Sequence, residues 1–395
     1  MFQRPHLQLV KSRMIEQRRF IQVIVGPRQV GKTTLVGQLV KELNIASHSV
    51  SADGVLASNT FWLNQQWENA RQSLRAKEVT EFLLVIDEIQ KIDNWSETVK
   101  ALWDEDTKNN YNLKVLLLGS SRLILQKGLT ESLAGRFETT YMGHWSLQEM
   151  GTAFGLTPEQ YAWYGGYPGS ASLIHDELRW KHYIKDSLIE TSILKDVLML
   201  ARIEKPTLLK HLFEIGCLYS GQVLSYTKIM GQLHGAGNTT TLSNYLNLLD
   251  TAGLLRGIEK YSPSIIRKRS STPKFQVHNT ALISGQSEKQ FKEIQNNPAA
   301  WGRIVESAIG AHLLNHSLTM DYELNYWREG DAEVDFIISK NKQTIAIEVK
   351  SNKASITNGM KQFQKQYNPQ KMILIGADGM NWQDFLMMNP NDLFL

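Results

Sequence analysis

The stretch FIQVIVGPRQVGKTTLVGQLVKEL, residues 20–43, decides how the first third of the chain folds. It opens with a short β-branched run from Ile21 to Val25, which reads as a buried strand. Gly26-x-x-x-x-Gly31-Lys32-Thr33 follows, and then apolar residues at helical spacing, Leu35, Leu39 and Leu43. Strand, glycine-rich loop and helix form the context in which this spacing cradles phosphates, as a Walker A motif. The glycines let backbone N–H groups turn onto phosphate oxygens, and the helix N-terminus adds partial positive charge. The residues expected around a nucleotide are Gly26, Arg28, Gly31, Lys32, Thr33 and Thr34. Lys32 is expected to reach the β- and γ-phosphates, and the Thr33 hydroxyl to ligate Mg²⁺.

A second motif belongs with the first. FLLVIDEIQKI, residues 82–92, ends an apolar strand in Asp87 and Glu88. Asp87 is expected to hold Mg²⁺ through water, and Glu88 to polarise the attacking water. Either acid alone would also serve as a helix cap. A third strand, LKVLLLGSSRLIL, places Ser120 and Ser121 directly after its apolar run. Ser120 is expected either to sense the γ-phosphate or to cap the next helix. In ESLAGRFETTYMG, Gly135 and Arg136 precede a further strand. Arg136, with Arg122 as a weaker competitor, is the candidate arginine finger acting across a subunit boundary. A plain surface arginine is the alternative.

GPRQVGKTT, LLVIDEIQK, LLLGSSR and SLAGRFE together resemble a prokaryotic branch of the AAA+ ATPases, of the AAA-14 type. The resemblance extends over nearly the whole chain, and its motifs are most specific in the first third. It implies an α/β core of strand order 5-1-4-3-2, with NIASHSVSAD, residues 44–53, as the extra strand between the two Walker motifs. It also implies a helical lid, a winged helix and a C-terminal domain after the ATPase. The boundaries expected are 1–145 for the ATPase core, 146–200 for the lid and connector, 201–285 for the winged helix and 286–395 for the last domain. WYGGYPGS, residues 163–170, is similar to a stretch in such lids. Arg179 and Arg202 are the candidates for a lid arginine that touches the nucleotide.

The bulk numbers exclude several classes. Net charge is +4 over 395 residues, so the chain as a whole is no polybasic nucleic-acid binder. No stretch of about 18 apolar residues is present, so no membrane span is expected. The charged N-terminus lacks the apolar core of a signal peptide. One cysteine, Cys217, rules out an internal disulfide and fits a reducing, cytoplasmic setting.

Charge is uneven. Residues 201–283 hold ten Lys/Arg against four Asp/Glu. Three short helical patterns and two strands in this segment read as a winged helix-turn-helix. Arg267, Lys268 and Arg269 on the wing are expected to meet phosphates, DNA more readily than RNA. The third helical pattern, TTTLSNYLNLLDTAGLL, has no Lys or Arg, which argues for sequence-tolerant contact.

The last quarter carries REGDAEVDFIISKNKQTIAIEVKSN, residues 328–352. Two strands joined by a turn at Lys340, Asn341 and Lys342 are expected to form a hairpin. Strand residues alternate faces, so Glu348 and Lys350 share one face, and the hairpin can set Asp335 beside Glu348. Two adjacent carboxylates repel unless a cation lies between them, and oxygen ligands suit Mg²⁺ or Mn²⁺. Asp335 followed thirteen positions on by Glu348-x-Lys350 resembles the PD-(D/E)xK nuclease core, with Val334 where that pattern has proline. The resemblance implies a further acid on the preceding helix, and Glu306 supplies it. Metal would be held by Glu306, Asp335 and Glu348, with Lys350 catalytic and Gln362 or Lys361 in support.

The function expected is therefore ATP hydrolysis coupled to a metal-dependent nuclease-like domain acting on nucleic acid, in a homo-oligomer or ring. Two alternatives stand beside it. One is an ATP-dependent assembly switch with a non-cleaving nuclease-like module. The other is an ATP-gated winged-helix regulator of DNA.

Overall fold

The computed structural model describes residues 2–76, 79–120, 132–192, 197–198, 203–232, 238–264, 271–350, 357–376 and 379–395. These fold as two compact units, residues 1–142 and 143–395.

The first unit is built on five parallel strands, β1 (Ile21–Val25), β2 (Ser47–Ser51), β3 (Phe82–Asp87), β4 (Leu113–Gly119) and β5 (Phe137–Tyr141). Their spatial order is β2-β3-β4-β1-β5, the order that the AAA+ resemblance implies. Helices cover both faces: α1 (His6–Ile15), α2 (Lys32–Leu43), α3 (Phe61–Ala76) and α4 (Trp95–Lys108). The strand period of two divides the core. Val23, Leu84, Ile86, Val115 and Leu117 pack with Leu63, Trp67 and Val99 from α3 and α4. Ile24, Leu83, Val85, Leu116 and Leu118 pack with Leu7, Val10, Leu35 and Leu39 from α1 and α2. A strand buried on both faces is apolar at nearly every position, which is why β1, β3 and β4 read as apolar runs; the buried exceptions, Gln22 and Lys114, are partnered by Glu138 and by Glu81. Parallel register sets Val25 level with Gly119, and Ile86 level with Leu117. The carboxyl ends of β1, β3 and β4 thus open on one edge, where open α/β sheets bind ligands.

The second unit begins with α5 (Leu147–Phe154) and α6 (Pro158–Tyr164). Each is started by a capping box, Ser146 with Glu149 and Thr157 with Gln160. A 3-10 turn (Pro168–Leu173) leads to α7 (Glu177–His182), which widens into a π-helical segment (Tyr183–Glu190) rather than running on as a regular α-helix. Next come α8 (Pro206–Leu218), α9 (Tyr226–Gln232) and α10 (Thr239–Thr251), then the antiparallel pair β6 (Leu255–Ile258) and β7 (Lys274–Val277). Cys217 is buried in α8.

After α11 (Ala281–Ser284) and α12 (Phe291–Gln295), the long helix α13 (Pro298–Ser317) lies before β8 (Glu323–Glu329), β9 (Ala332–Lys340) and β10 (Gln343–Lys350). Then follow α14 (Asn358–Tyr367), β11 (Lys371–Gly376) and α15 (Trp382–Met387). The four strands stand in the order β11-β10-β9-β8, antiparallel except for β10 with β11. Asn341 and Lys342 join β9 to β10, both at positive φ (50° and 68°), the geometry of a tight hairpin turn. Helix α14 lies hard against β9: a Cβ on Gly359 would come 1.9 Å from the Glu333 carbonyl oxygen. Trp327, Val334, Met360 and Phe363 fill the core between that helix and the sheet.

Helix α13 also buries His312 and partly buries His316. His312 Nε2 meets the Met388 carbonyl at 3.1 Å, and His316 Nδ1 meets the His312 carbonyl at 2.9 Å. Burial holds the His312 pKa well below its usual value, and His316 adds to this. Burial lowers that of His316 as well. Below about pH 6.5 the unfolded chain takes up protons that the folded one refuses, so stability falls as pH falls. The expected loss is up to about 1.4 kcal/mol per pH unit for each histidine. Urea unfolding between pH 7 and pH 5 checks this, and His312→Gln should flatten the slope. Among the described residues, no helix is long and apolar enough to cross a membrane.

Candidate functional site

At the edge of the first sheet, the loop between β1 and α2 is shaped by backbone that only certain residues permit. A Cβ on Gly26 would lie 2.0 Å from the Met142 carbonyl oxygen. Gly31 has φ 90°, and Gln29 also sits at positive φ. Lys32 is buried, and its ammonium donates to the carbonyls of Gly26 (2.9 Å) and Pro27 (2.7 Å). Thr33 and Thr34 follow on the exposed first turn of α2. The Thr33 hydroxyl donates to Asp87 Oδ2 at 2.9 Å, so the loop and the end of β3 meet where a cation would be shared.

Glu88 follows in left-handed backbone, φ 54°, an uncommon state for this residue type and one that turns the chain sharply after Asp87. Its backbone N–H donates to Asp87 Oδ1 at 2.8 Å. The Gln90 amide then bridges two elements, donating to Glu88 Oε2 at 2.5 Å and to Ser120 Oγ at 3.1 Å. Ser120 is buried at the end of β4. Arg136 forms a two-point pair with Asp104, at 2.7 and 2.9 Å, and also donates to the Ala134 carbonyl. The hydrogen bonds with Asp104 raise the Arg136 pKa.

The second cluster lies within the second unit. The hairpin sets Asp335 next to Glu348: Asp335 Oδ2 accepts from the Val349 N–H at 2.8 Å. Glu348 is 3% exposed; its Oε1 pairs with Lys350 at 2.9 Å, and its Oε2 has no hydrogen-bond partner among the described residues. Burial and the neighbouring Asp335 push the Glu348 carboxyl up to about 7. Burial works against the Lys350 ammonium, but Glu348 outweighs it and raises its pKa. Glu306 on α13 faces the hairpin. Burial pushes its carboxyl up to about 7 as well, although Lys274 opposes the shift.

That lysine, the first residue of β7, is fully buried. Its ammonium lies 2.9 Å from Glu306 Oε1, 3.3 Å from Asp335 Oδ1, 3.2 Å from the Asp335 carbonyl and 3.7 Å from Glu333 Oε1. Burial alone would lower its pKa, and the three carboxylates more than reverse that. Among the described residues, no group of three or more His, Cys, Asp or Glu is arranged to hold a metal ion. The structure thus gathers Glu306 and Asp335 around an ammonium and pairs Glu348 with Lys350. A cavity of about 630 Å³ opens beside Glu306 and Lys350, lined also by Trp301, Arg303, Trp382 and Gln383.

Residues 18–151 match the family model described as AAA domain. The first unit is an AAA domain. Residues 157–290 match a domain of unknown function (DUF8612), and residues 301–386 match another (DUF4143). An uncharacterized protein of Methanocaldococcus jannaschii is 23% identical over 373 residues, which cover 89% of this chain and 80% of that protein. Among solved structures, the RuvB Holliday junction branch migration motor of Thermotoga maritima superposes with a TM-score of 0.33 at 18% identity. The match covers 65% of this chain and 86% of that one. A point mutant of the same motor gives 0.34 at 18% identity, over 65% and 87%.

Within the AAA domain, the structure brings Gly26, Gly31, Lys32, Thr33, Asp87, Glu88 and Ser120 to one edge of the sheet. Arg28 is half-buried in the same loop. Gln90 belongs with them and has no sequence signal beyond its place two residues after Glu88. Ser121, Arg122, Arg202, Arg267, Lys268 and Arg269 lie outside the described residues. Arg179 is exposed on α7. Gln362 and Lys361 lie on the exposed face of α14, where Gln362 bonds to Asn358. Tyr326 and Trp327 are buried, whereas Trp382 lines the cavity.

Proposed function

We propose that this chain hydrolyses ATP at the edge of its AAA domain and uses the nucleotide state to control a nuclease-like module that grips nucleic acid. The observation that carries the first half is the direct bond from Thr33 to Asp87, with Glu88 beside it. Lys32 would exchange the Gly26 and Pro27 carbonyls for β- and γ-phosphate oxygens. A Mg²⁺ ion arriving with ATP would be held by Thr33 and, through water, by Asp87, and would neutralise charge building on the phosphates. Glu88 would orient and polarise the attacking water, and Ser120 would sense the γ-phosphate. Arg136 would act in a neighbouring copy once it leaves Asp104, an exposed pair of the kind that contributes little to stability.

The second half is supported by the order α13, β8, β9, β10, α14, β11, which suits a PD-(D/E)xK-like core, and by the lysine- and arginine-lined cavity beside Glu306. The three helices α8 to α10 with β6 and β7 suit a winged helix. The grip-not-cut reading is favoured over a cutting one by Lys274, whose ammonium lies among the carboxylates.

The test is phosphate release from ATP, with and without DNA and RNA, over a range of protein concentration. Turnover that rises with protein concentration is expected. Lys32→Ala should weaken ATP binding and lower hydrolysis at least about 100-fold. Hydrolysis unchanged in Lys32→Ala would remove the AAA domain from the chemistry. DNA and RNA affinity independent of nucleotide would remove the coupling.

A further inference from the structure

We infer that the Lys274 ammonium is the permanent cation of the C-terminal carboxylate cluster and stands where a nuclease of this design would bind a divalent metal ion. The inference rests on the nuclease-like reading only for the expectation of a metal; the ion cluster itself is independent of it.

The count of donors and acceptors decides the matter. An ammonium has three N–H donors. Here three acceptors take them: Glu306 Oε1, Asp335 Oδ1 and the Asp335 carbonyl. Asp335 is engaged at both carboxylate oxygens, with Lys274 on one and the Val349 N–H on the other. Glu348 gives one oxygen to Lys350. Its Oε2 has no partner among the described residues, but a divalent ion there would still need oxygens of Asp335 and Glu306, and one of each already faces the ammonium. A divalent ion bridging Glu306 and Asp335 would have to displace an ammonium that is fully buried and lies 4.8 Å above the Phe336 ring. Both cations cannot share that space, because like charges repel strongly where water is excluded.

The position of Lys274 in the chain matters as much as its contacts. It begins β7, which pairs with β6. The next polar residue on that strand, Gln276, donates to the Ser307 carbonyl of α13 at 2.9 Å. Ser307 in turn bonds to Ser220, just after α8. The lysine is therefore carried into the cluster by a strand fastened to α13 on the same side. A metal ion would be free to leave, whereas this cation is covalently part of the fold.

The experiment is Mn²⁺ binding to the full chain without nucleotide, followed by electron paramagnetic resonance, on the wild type, Asp335→Asn, Lys274→Met and Lys274→Met/Asp335→Asn. The wild type is expected to show no Mn²⁺ site that Asp335→Asn abolishes. Lys274→Met keeps an unbranched stem one atom shorter and removes the charge. It should bind Mn²⁺ at least about tenfold more tightly than the wild type, and the double variant should lose that gain. A wild-type site lost in Asp335→Asn overturns the inference, as does a folded Lys274→Met with no gain. If Lys274→Met does not fold, restoration of its fold by Mn²⁺ supports the exchange of one cation for another. A chain that Mn²⁺ cannot rescue then overturns it. DNA retention in EDTA, measured alongside, separates the two claims. Absent DNA binding sinks the nucleic-acid reading, while the Mn²⁺ result alone decides the role of Lys274.

Discussion

Glu88→Gln is expected to leave ATP bound and to slow its hydrolysis at least about 100-fold, the range in which a positioned general base contributes. The substitution is nearly isosteric. The new side-chain carbonyl can still accept from Gln90 Nε2, which now holds the carboxylate at 2.5 Å. The left-handed turn at residue 88 is a backbone property that Gln tolerates no worse than Glu. What disappears is the ability to draw a proton from water. The check is paired: phosphate release at saturating ATP, and retention of a fluorescent ATP analogue. A variant with wild-type turnover would take Glu88 out of the chemistry. A variant that fails to bind nucleotide would instead mean that its charge shapes the pocket.

How much of this was legible in the sequence depends on the distance over which each feature is built. The Walker residues are local: a strand, a loop and a helix lie within 24 residues, and glycine at 26 and 31 has a backbone reason that any reader can find. The hairpin was legible for the same reason, since period two and a polar turn place Asp335 near Glu348. The spatial order of the five strands came from the resemblance alone, because nothing in an apolar run says which neighbour it pairs with. Gln90 escaped notice because it carries no charge and acts through a short turn rather than a motif. Lys274 escaped because the acids it meets lie 32 and 61 residues further along, at Glu306 and Asp335. The signal that existed was local and easily passed over: a lysine and a glutamine in a four-residue strand, KFQV, that is buried at every position. A charge on such a strand requires a partner.

Asp106 poses the same question in the AAA domain and leads to the second large effect. It sits on α4 with no exposure at all. Oδ2 accepts from the Trp67 indole at 2.7 Å, and Oδ1 from Arg71 Nε at 2.7 Å. Arg71 also donates to the Leu102 carbonyl and to Glu105. Burial pushes the Asp106 carboxyl up, against the pull of Trp67 and Arg71. Burial is also the largest influence on Arg71, which its bonds to Asp106 and Glu105 then outweigh. Desolvation therefore leads on both sides, so the pair gains little over a well-packed apolar one, yet breaking it strands a buried charge. Asp106→Ala is expected to cost about 3–5 kcal/mol, because Arg71 loses its innermost partner and the Trp67 N–H loses its acceptor. Adding Arg71→Met should recover part of that loss, so that the double variant unfolds at higher urea than Asp106→Ala alone. Urea midpoints for the four chains of the cycle measure it, and an Asp106→Ala chain within about 1 kcal/mol of wild type would refute the account. The consequence reaches the site, because α3 and α4 cover the sheet face that carries β3 and β4, whose ends present Asp87 and Ser120. Loosening that layer should weaken ATP binding at urea concentrations where the chain as a whole is still folded.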